Sequence, residues 1–330
     1  MYLFKGNSIP SLYTKILSTI LDEGIEVGPR GMKTKELSPV CIEVTNPRQR
    51  LFGHPHRKEV SIFTYIEGLW ILLGEATPDR VVHYVPAMAN FVNEETGKFD
   101  GAYGPAIDLS KYNYIMTGAN QLNQVYLRLK ENPDTRQAVV IINNPFLHTL
   151  PTKDYPCTLS FQFLLRNNKL DMITTMRSQD AWLGLVYDTG EFQWFQEILA
   201  GWLGVELGRY IHIDGSFHLY ERDWAKAKEV VDNDSNFNIY NQAEVYDARI
   251  SKEEWNKILK TLALWETTCR TGRFESVVSE SKPNKFYVNL EQMIMAYNFR
   301  LLGYKKEAYN IVKDNRSDLG IIYEKRWRSK

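Results

Sequence analysis

The sequence predicts an α+β fold whose sheet is antiparallel in good part. Two strand-like runs, 157–166 and 170–177, flank Asn167-Asn168-Lys169, a hairpin signature. The apolar run 137–143 has Asn-Pro pairs on both sides, as a buried strand would. Helical periodicities flank these strands without a regular strand-helix-strand alternation, so hairpins stand where parallel crossover units would otherwise be.

Residues 8–23 place Leu12, Ile16, Ile20 and Leu21 near helical spacing behind a Ser-Ile-Pro entry, which predicts an amphipathic helix. Gly24 to Gly31 breaks that pattern, and Val40, Ile42 and Val44 then alternate within a predicted strand at 39–46. A helix is expected over 59–74, carrying Glu67 and Trp70 and closing at Gly74. Residues 84–113 are rich in Gly, Asn, Asp and Pro and lack periodicity, which predicts a long shaped loop of the kind that often carries function. Further helices are expected at 119–131 and 189–203, and a strand at 210–214. From 218 onward the chain reads as mostly helical, with charged faces at 251–260 and 302–313. Residues 1–330 show no repeat, low-complexity tract or Pro/Ser-rich linker and read as a single domain.

The 330 residues are 44% hydrophobic and 24% charged, enough to bury a large core. Forty Lys and Arg balance forty Asp and Glu, which argues against a nucleic-acid coat, because such proteins draw their affinity from a basic excess. A small anion held by a few Arg stays compatible with neutrality. Cys41, Cys157 and Cys269 are too few and too widely spaced for a disulfide framework or a zinc knuckle, so a reduced, cytoplasmic setting is expected. No leader-like or membrane-spanning run of apolar residues occurs, and no membrane partner is expected.

A lone Cys157 would most simply be a small buried hydrophobe. Arg177 changes that reading, because a hairpin turning near residue 168 sets positions 157 and 177 roughly opposite. A guanidinium beside a thiol favours the reactive thiolate, and its fork of donors can also grip a phosphate. Glu67 lies on the apolar helix, where a carboxylate is either turned to the surface or poised as a base with a raised pKa. His218 and Tyr220 could be a satisfied core pair. His212 and His218 are six residues apart across a Gly-Ser turn and fit no standard metal-ligand spacing, so no metal is expected.

Taken together, these motifs resemble the thymidylate synthase superfamily, most convincingly over 123–223 and more loosely from Arg30 to Gly104. The resemblance rests on Pro156-Cys157 with Gln162-Phe163 downstream, Arg177-Ser178 with Asp180, Leu183-Gly184, and His218 with Tyr220. Upstream it includes Arg30 in a Gly-rich loop, Glu67 with Trp70, Tyr103-Gly104, and Asn132 to Arg136. It implies a large mixed sheet flanked by helices and a homodimer formed sheet to sheet, with 5,10-methylenetetrahydrofolate as one-carbon donor. Carried over position by position, it makes Cys157 the nucleophile on carbon 6 of a pyrimidine nucleotide, with Glu67, Tyr103 and water managing protons. Arg30, Arg177 and Ser178, with Arg136 from the partner subunit, would hold the 5′-phosphate. Gln162 and Gly184 match substrate-site positions, Asp180 one that orders folate and base, and His218 and Tyr220 the sugar-hydroxyl contacts. Family likeness fades in the helical region from about 225 to 330.

Departures from the family pattern bear on the substrate. Asp188 stands where thymidylate synthases carry Asn, whose amide suits the ring N–H and carbonyl of uracil. A carboxylate instead accepts from the amino group of cytosine and, with a shared proton, also serves its ring nitrogen; cytidylate hydroxymethylases of the superfamily show the same change. A strand-end cap is the structural alternative for Asp188. The synthases shield a late intermediate with Trp in the long loop and a closing C-terminal tail; 84–104 has no Trp and the end of this chain does not match, which favours water over hydride. Thr158 replaces the usual His, and Gln137 a second Arg. The expected activity is 5-hydroxymethylation of a cytidine monophosphate, dCMP slightly ahead of CMP. The rivals are a deoxyuridylate-using synthase or hydroxymethylase, a DNA cytosine methyltransferase without any evident nucleoside-cofactor loop, and a non-catalytic nucleotide-binding protein.

Overall fold

The computed structural model describes residues 1–111, 119–233, 238–274 and 284–328. Its elements are β1 (Tyr2–Gly6), α1 (Tyr13–Glu23), β2 (Ile25–Val27), β3 (Thr34–Leu37), β4 (Val40–Val44), α2 (Phe63–Leu72), α3 (Asp79–Tyr84), α4 (Tyr103–Ile107), α5 (Gln121–Glu131) and β5 (Val139–Ile141). There follow β6 (Thr158–Arg166), β7 (Lys169–Asp180), α6 (Gly184–Leu203), β8 (Glu206–Tyr220), α7 (Glu221–Asp232), α8 (Lys252–Arg270), α9 (Lys285–Leu301), α10 (Lys305–Val312) and α11 (Asp318–Trp327).

An eight-stranded mixed sheet runs β1-β4-β8-β7-β6-β5, with β3 also pairing with β8 and β2 pairing with β3. The β6–β7 hairpin is as expected: Asn167 and Asn168 both sit at positive φ, 51° and 58°, the conformation that a tight two-residue hairpin turn needs and that Asn tolerates. The parallel β7–α6–β8 unit was not expected. Instead of spanning 210–214, the last strand runs from Glu206 to Tyr220, and α6 begins at Gly184 rather than 189. Polar His212 and Asp214 at inward positions and the strand glycines Gly208 and Gly215 disguise β8 as something shorter. Strands β1, β2 and β3, at three to five residues each, were too short to read, because their stability lies in pairing rather than in periodicity.

The expected long loop at 84–113 contains a 3₁₀ turn at Pro86–Phe91 and the short α4; its residues 112 and 113 lie outside the described residues. The helix expected at 59–74 starts only at Phe63, and the C-terminal helices begin at Glu221, because 217–220 still pair with β3.

Alternation along the strands sends Val40, Ile42, Val44, Phe161, Phe163, Met172, Met176 and Tyr210 to one face, all buried. On that face lies α6, with Phe192, Phe195 and Ile198 buried, and α2 packs against α6 where Gly68 lets its backbone approach Trp194. The other face is half-exposed and bears Leu3, Ile141 and Ile213 among its exposed apolar side chains. The C-terminal helices build core. Tyr287, Leu290, Met293 and Ile294 of α9 are buried, Ser251 and Glu254 form a capping box on α8, and the Tyr323 hydroxyl of α11 accepts from the Ile62 N–H at 2.8 Å. Arg326 of α11 donates to the Glu59 carboxylate at 2.7 Å and to the Arg57 carbonyl at 3.0 Å, so the end of the chain is fastened to the segment that leads into α2.

The topology creates the site. Strand β8 pairs with β4 along Tyr210–Asp214 and with β3 along Phe217–Tyr220. Its far half therefore continues beside the end of β7, with Ser178 opposite Ser216 and Asp180 opposite His218.

Candidate active site

Cys157 immediately precedes β6. Its carbonyl accepts from the Arg177 backbone N–H at 2.9 Å, which is the cross-strand register expected from the hairpin. The Arg177 side chain turns back under the same segment: Nε donates to the Pro156 carbonyl at 2.9 Å, Nη2 to the Tyr155 carbonyl at 2.8 Å, and Nη2 lies 3.8 Å from Cys157 Sγ. Among the described residues Nη1 has no hydrogen-bond partner. Arg177 thus shapes the loop that carries Cys157 and still offers a donor to a ligand.

These groups open on a cleft of about 960 Å³, lined by Arg30, Cys157, Arg177, Ser178, His218 and Tyr220 among others. That size suits a small-molecule ligand. Arg30 sits at φ 51° in the tight Pro29–Gly31 turn between β2 and β3, which projects it at the rim. His218 is nearly buried and meets Tyr220 edge to face at 5.0 Å. Burial depresses the His218 pKa while Asp180 beside it pulls upward. Asp180 Oδ1 accepts from the backbone N–H groups of Trp182 at 2.8 Å and Leu183 at 3.3 Å.

Tyr103, Glu67 and Asp188 lie behind the cleft lining. The Tyr103 hydroxyl accepts from the Thr158 N–H at 3.3 Å, one residue from the thiol, and burial followed by the nearby Cys157 holds its pKa well above the ordinary value. Burial and then Asp188 do the same to Glu67. Asp188 Oδ2 accepts from Gln179 Nε2 at 2.9 Å, and burial raises its pKa to about 6 against the pull of Gln179 and His212. Gly184 makes this contact possible: a Cβ there would come within 2.7 Å of Gln179 Nε2 and 3.0 Å of Asp188 Oδ2.

One electrostatic expectation is reversed. The Cys157 pKa is raised, because burial outweighs the Arg177 guanidinium and Asp188 and Asp154 also oppose the thiolate. In the ligand-free protein, alkylation of Cys157 by iodoacetamide is expected to be slow at neutral pH and to accelerate only beyond the ordinary thiol range. A fast reaction at neutral pH would contradict this assignment.

Arg136 and Gln162 are not brought to the cleft within one chain. Gln162 alternates with inward Phe161 and Phe163, faces the half-exposed side of the sheet, and donates to the Arg136 carbonyl at 3.1 Å, while the Arg136 side chain is exposed. Several neighbours were given no role in the sequence reading: Ser216 and Lys153 in the lining, and Gln179, Glu191, Tyr210 and Asp214 beneath it, beside His212, which was weighed only as a metal ligand. Their signal was polar side chains at the inward positions of apolar strands and a helix. Glu191 is 1% exposed with both carboxylate oxygens unpartnered among the described residues, and burial followed by Glu67 keeps its pKa well above the ordinary value. Among the described residues no group of three or more His, Cys, Asp or Glu could hold a metal, and no helix is long and apolar enough to cross a membrane.

The raised Asp188 pKa has a consequence for stability. The folded protein holds this proton more tightly than the unfolded chain, so the contribution is complete below the unfolded value of 3.8 and is lost as pH rises through about 6. A shift of that size corresponds to about 3 kcal/mol. Asp188→Asn buries no charge and is expected to be more stable than the parent by about 1–3 kcal/mol above about pH 7, with no gain below about pH 4. Urea unfolding at the two pH values checks this.

A thiol beside an arginine fork, at the mouth of a cleft with a His–Tyr pair and backed by buried acids, defines a site for an anionic ligand open to nucleophilic attack. The chain belongs to the thymidylate synthase family, a family of one-carbon transferases, whose family profile matches residues 11–258. It is 38% identical over 231 residues to the deoxyuridylate hydroxymethyltransferase of Bacillus phage SP01, a match covering 68% of this chain and 60% of that protein. The deoxyuridylate hydroxymethyltransferase of Pseudomonas phage M6 is 28% identical, with 98% of this chain and 100% of that protein covered. A putative thymidylate synthase of Methanocaldococcus jannaschii is 27% identical, with 69% of this chain and 96% of that protein covered.

Proposed function

We propose that the protein is a pyrimidine nucleotide 5-hydroxymethylase acting on a cytidine monophosphate, with dCMP slightly preferred over CMP, through a covalent adduct on Cys157. The observation that carries the choice of base is Asp188, which lies close enough to Cys157 to oppose its thiolate and has one oxygen fixed by Gln179. Its carboxyl can accept from the exocyclic amino group and share a proton with the ring nitrogen. That proton also makes carbon 6 more electrophilic.

The residues divide the work. Arg30, Arg177 and Ser178 receive the 5′-phosphate, and His218 and Tyr220 the sugar. Cys157 Sγ bonds to carbon 6 and the electron pair of the 5,6 double bond moves to carbon 5. Once carbon 5 carries the one-carbon group, its proton leaves toward water held by Tyr103 and Glu67, and the electron pair left behind forms the exocyclic methylene as the bond to the folate nitrogen breaks and tetrahydrofolate departs. Water adds to the exocyclic methylene on the nucleotide, and departure of Cys157 restores the double bond. Bound 5,10-methylenetetrahydrofolate supplies the one-carbon unit at the oxidation level of formaldehyde. This chain's groups fit such a molecule: Phe91, 51% exposed in the cleft lining, offers an apolar wall. We place the protein in a homodimer through the half-exposed sheet face, which would bring Arg136 to the partner's phosphate site.

A second reading, hydroxymethylation of deoxyuridylate, is favoured by the names of the two phage relatives. Steady-state kinetics with CMP, dCMP, UMP and dUMP separate the two. The cytidylates are expected to give the higher kcat/KM, and Asp188→Asn to shift preference toward the uridylates by about tenfold to a hundredfold. Higher kcat/KM for dUMP in the parent would replace the first reading by the second.

A further inference from the structure

A carboxyl group is symmetric, and a symmetric reader cannot tell the donor–acceptor order of cytosine from that of uracil. Cytosine presents an amino donor next to a bare nitrogen, and uracil a carbonyl acceptor next to an N–H. A protonated Asp188 could serve either ring by carrying its proton on one oxygen or the other. The structure breaks this symmetry. Gln179 Nε2 donates to Oδ2 at 2.9 Å, whereas among the described residues Oδ1 has no hydrogen-bond partner. An oxygen that already accepts an N–H is the poorer place for the proton, so Oδ2 is held as acceptor and the proton falls to Oδ1.

We propose that Gln179 is the specificity-determining positioning residue of this site, fixing which oxygen of Asp188 accepts and which carries the proton, and thereby which pyrimidine ring is admitted. This rests on the reading that Asp188 meets the base.

Two features show that the contact is not a device for stability. Gln179 is 1% exposed and its Oε1 is buried without a partner among the described residues, so the amide is desolvated for one hydrogen bond where an apolar side chain would desolvate nothing. Gly184, at the first position of α6, leaves room for the contact as it stands, since a Cβ there would press on both Gln179 Nε2 and Asp188 Oδ2.

The surroundings of Asp188 keep it near the point of proton exchange. On β8, His212 Nε2 lies 3.2 Å from Asp214 Oδ1 and His212 Nδ1 lies 2.8 Å from the Tyr210 hydroxyl, all beneath the sheet's buried face. Glu67 of α2, Glu191 of α6, Asp180 of β7, Tyr103 of α4 and Cys157 also face it. A symmetric carboxyl amid so many polar and ionisable neighbours would have no preferred oxygen for its proton, and Gln179 is the uncharged donor that removes the choice.

The test is the ratio of CMP to UMP affinity, measured by calorimetry on the full chain without folate, in the parent, Gln179→Met and Gln179→Asn. Met keeps the volume and loses the donor; Asn keeps the amide and withdraws it by one methylene. Both are expected to shrink the parent's discrimination about tenfold toward equality, whichever base the parent prefers. Because the phosphate, sugar and overall packing are common to the two ligands, a purely structural role would weaken both equally and leave the ratio unchanged, which would overturn the proposal. In the parent itself, the side-chain amide proton resonances of Gln179 are expected to follow the titration of Asp188, and resonances that stay fixed would overturn it even if neither variant folds. A parent that binds neither nucleotide defeats the proposed function, whereas a parent that discriminates as its variants do defeats only the role of Gln179.

Discussion

Cys157→Ser is expected to abolish turnover, with a fall in kcat of about 10⁴-fold or more, because a serine hydroxyl without a base at its oxygen is a far weaker nucleophile than a thiolate. The nucleotide contacts proposed for Arg30, Arg177, Ser178, His218 and Tyr220, all in the cleft lining, do not include the sulfur, so nucleotide affinity is expected to stay within about threefold. Release of tritium from carbon 5 of labelled cytidylate, supplied with 5,10-methylenetetrahydrofolate, reports the step directly: the parent releases label and the variant does not. A parent that binds nucleotide and keeps its label would be a non-catalytic binding protein.

Arg177→Ala is the second large effect, and it should appear in both kinetic parameters. Loss of the guanidinium removes the charge-assisted bond that Nη1 would make to the phosphate, worth about 1.5–3 kcal/mol, which lowers kcat/KM by about 10–10²-fold. It also strips the Tyr155 and Pro156 carbonyls of their donors, so the loop that presents Cys157 loosens and kcat falls as well. Arg177→Lys keeps the charge but not the fork. It is expected to recover part of the loss in KM and little of the loss in kcat. Kinetics of the three proteins with one cytidylate check this, and a change confined to KM would show that Arg177 has no part in holding the nucleophile.

The sequence revealed what is local and left hidden what is made by pairing. The β6–β7 hairpin was legible because two adjacent Asn dictate its turn, and with it came the meeting of Cys157 and Arg177. The parallel union of β7 with β8 was not, because it depends on a twenty-residue helix returning the chain and on polar His212 and Asp214 at buried strand positions. Gln179 was passed over for the same reason. A lone Gln in a strand carries no signal until Gly184 and Asp188 are seen one helical turn apart with their open side toward it. The reversed expectation for the Cys157 thiol shows the limit of counting charges: proximity of a guanidinium could be inferred from register, but the depth of burial that outweighs it could not. The role assigned to Arg136 depends on a second copy of the chain, so an analytical ultracentrifugation run that found only monomer would remove it from the site.

The absence of Trp between 84 and 104 favours water as the proposed partner of the exocyclic methylene. Mass analysis of the product formed from each of CMP, dCMP, UMP and dUMP with 5,10-methylenetetrahydrofolate is the most direct measurement. The account predicts a gain of CH₂O on a cytidylate. A gain of CH₂, or a product formed from uridylates alone, would contradict it.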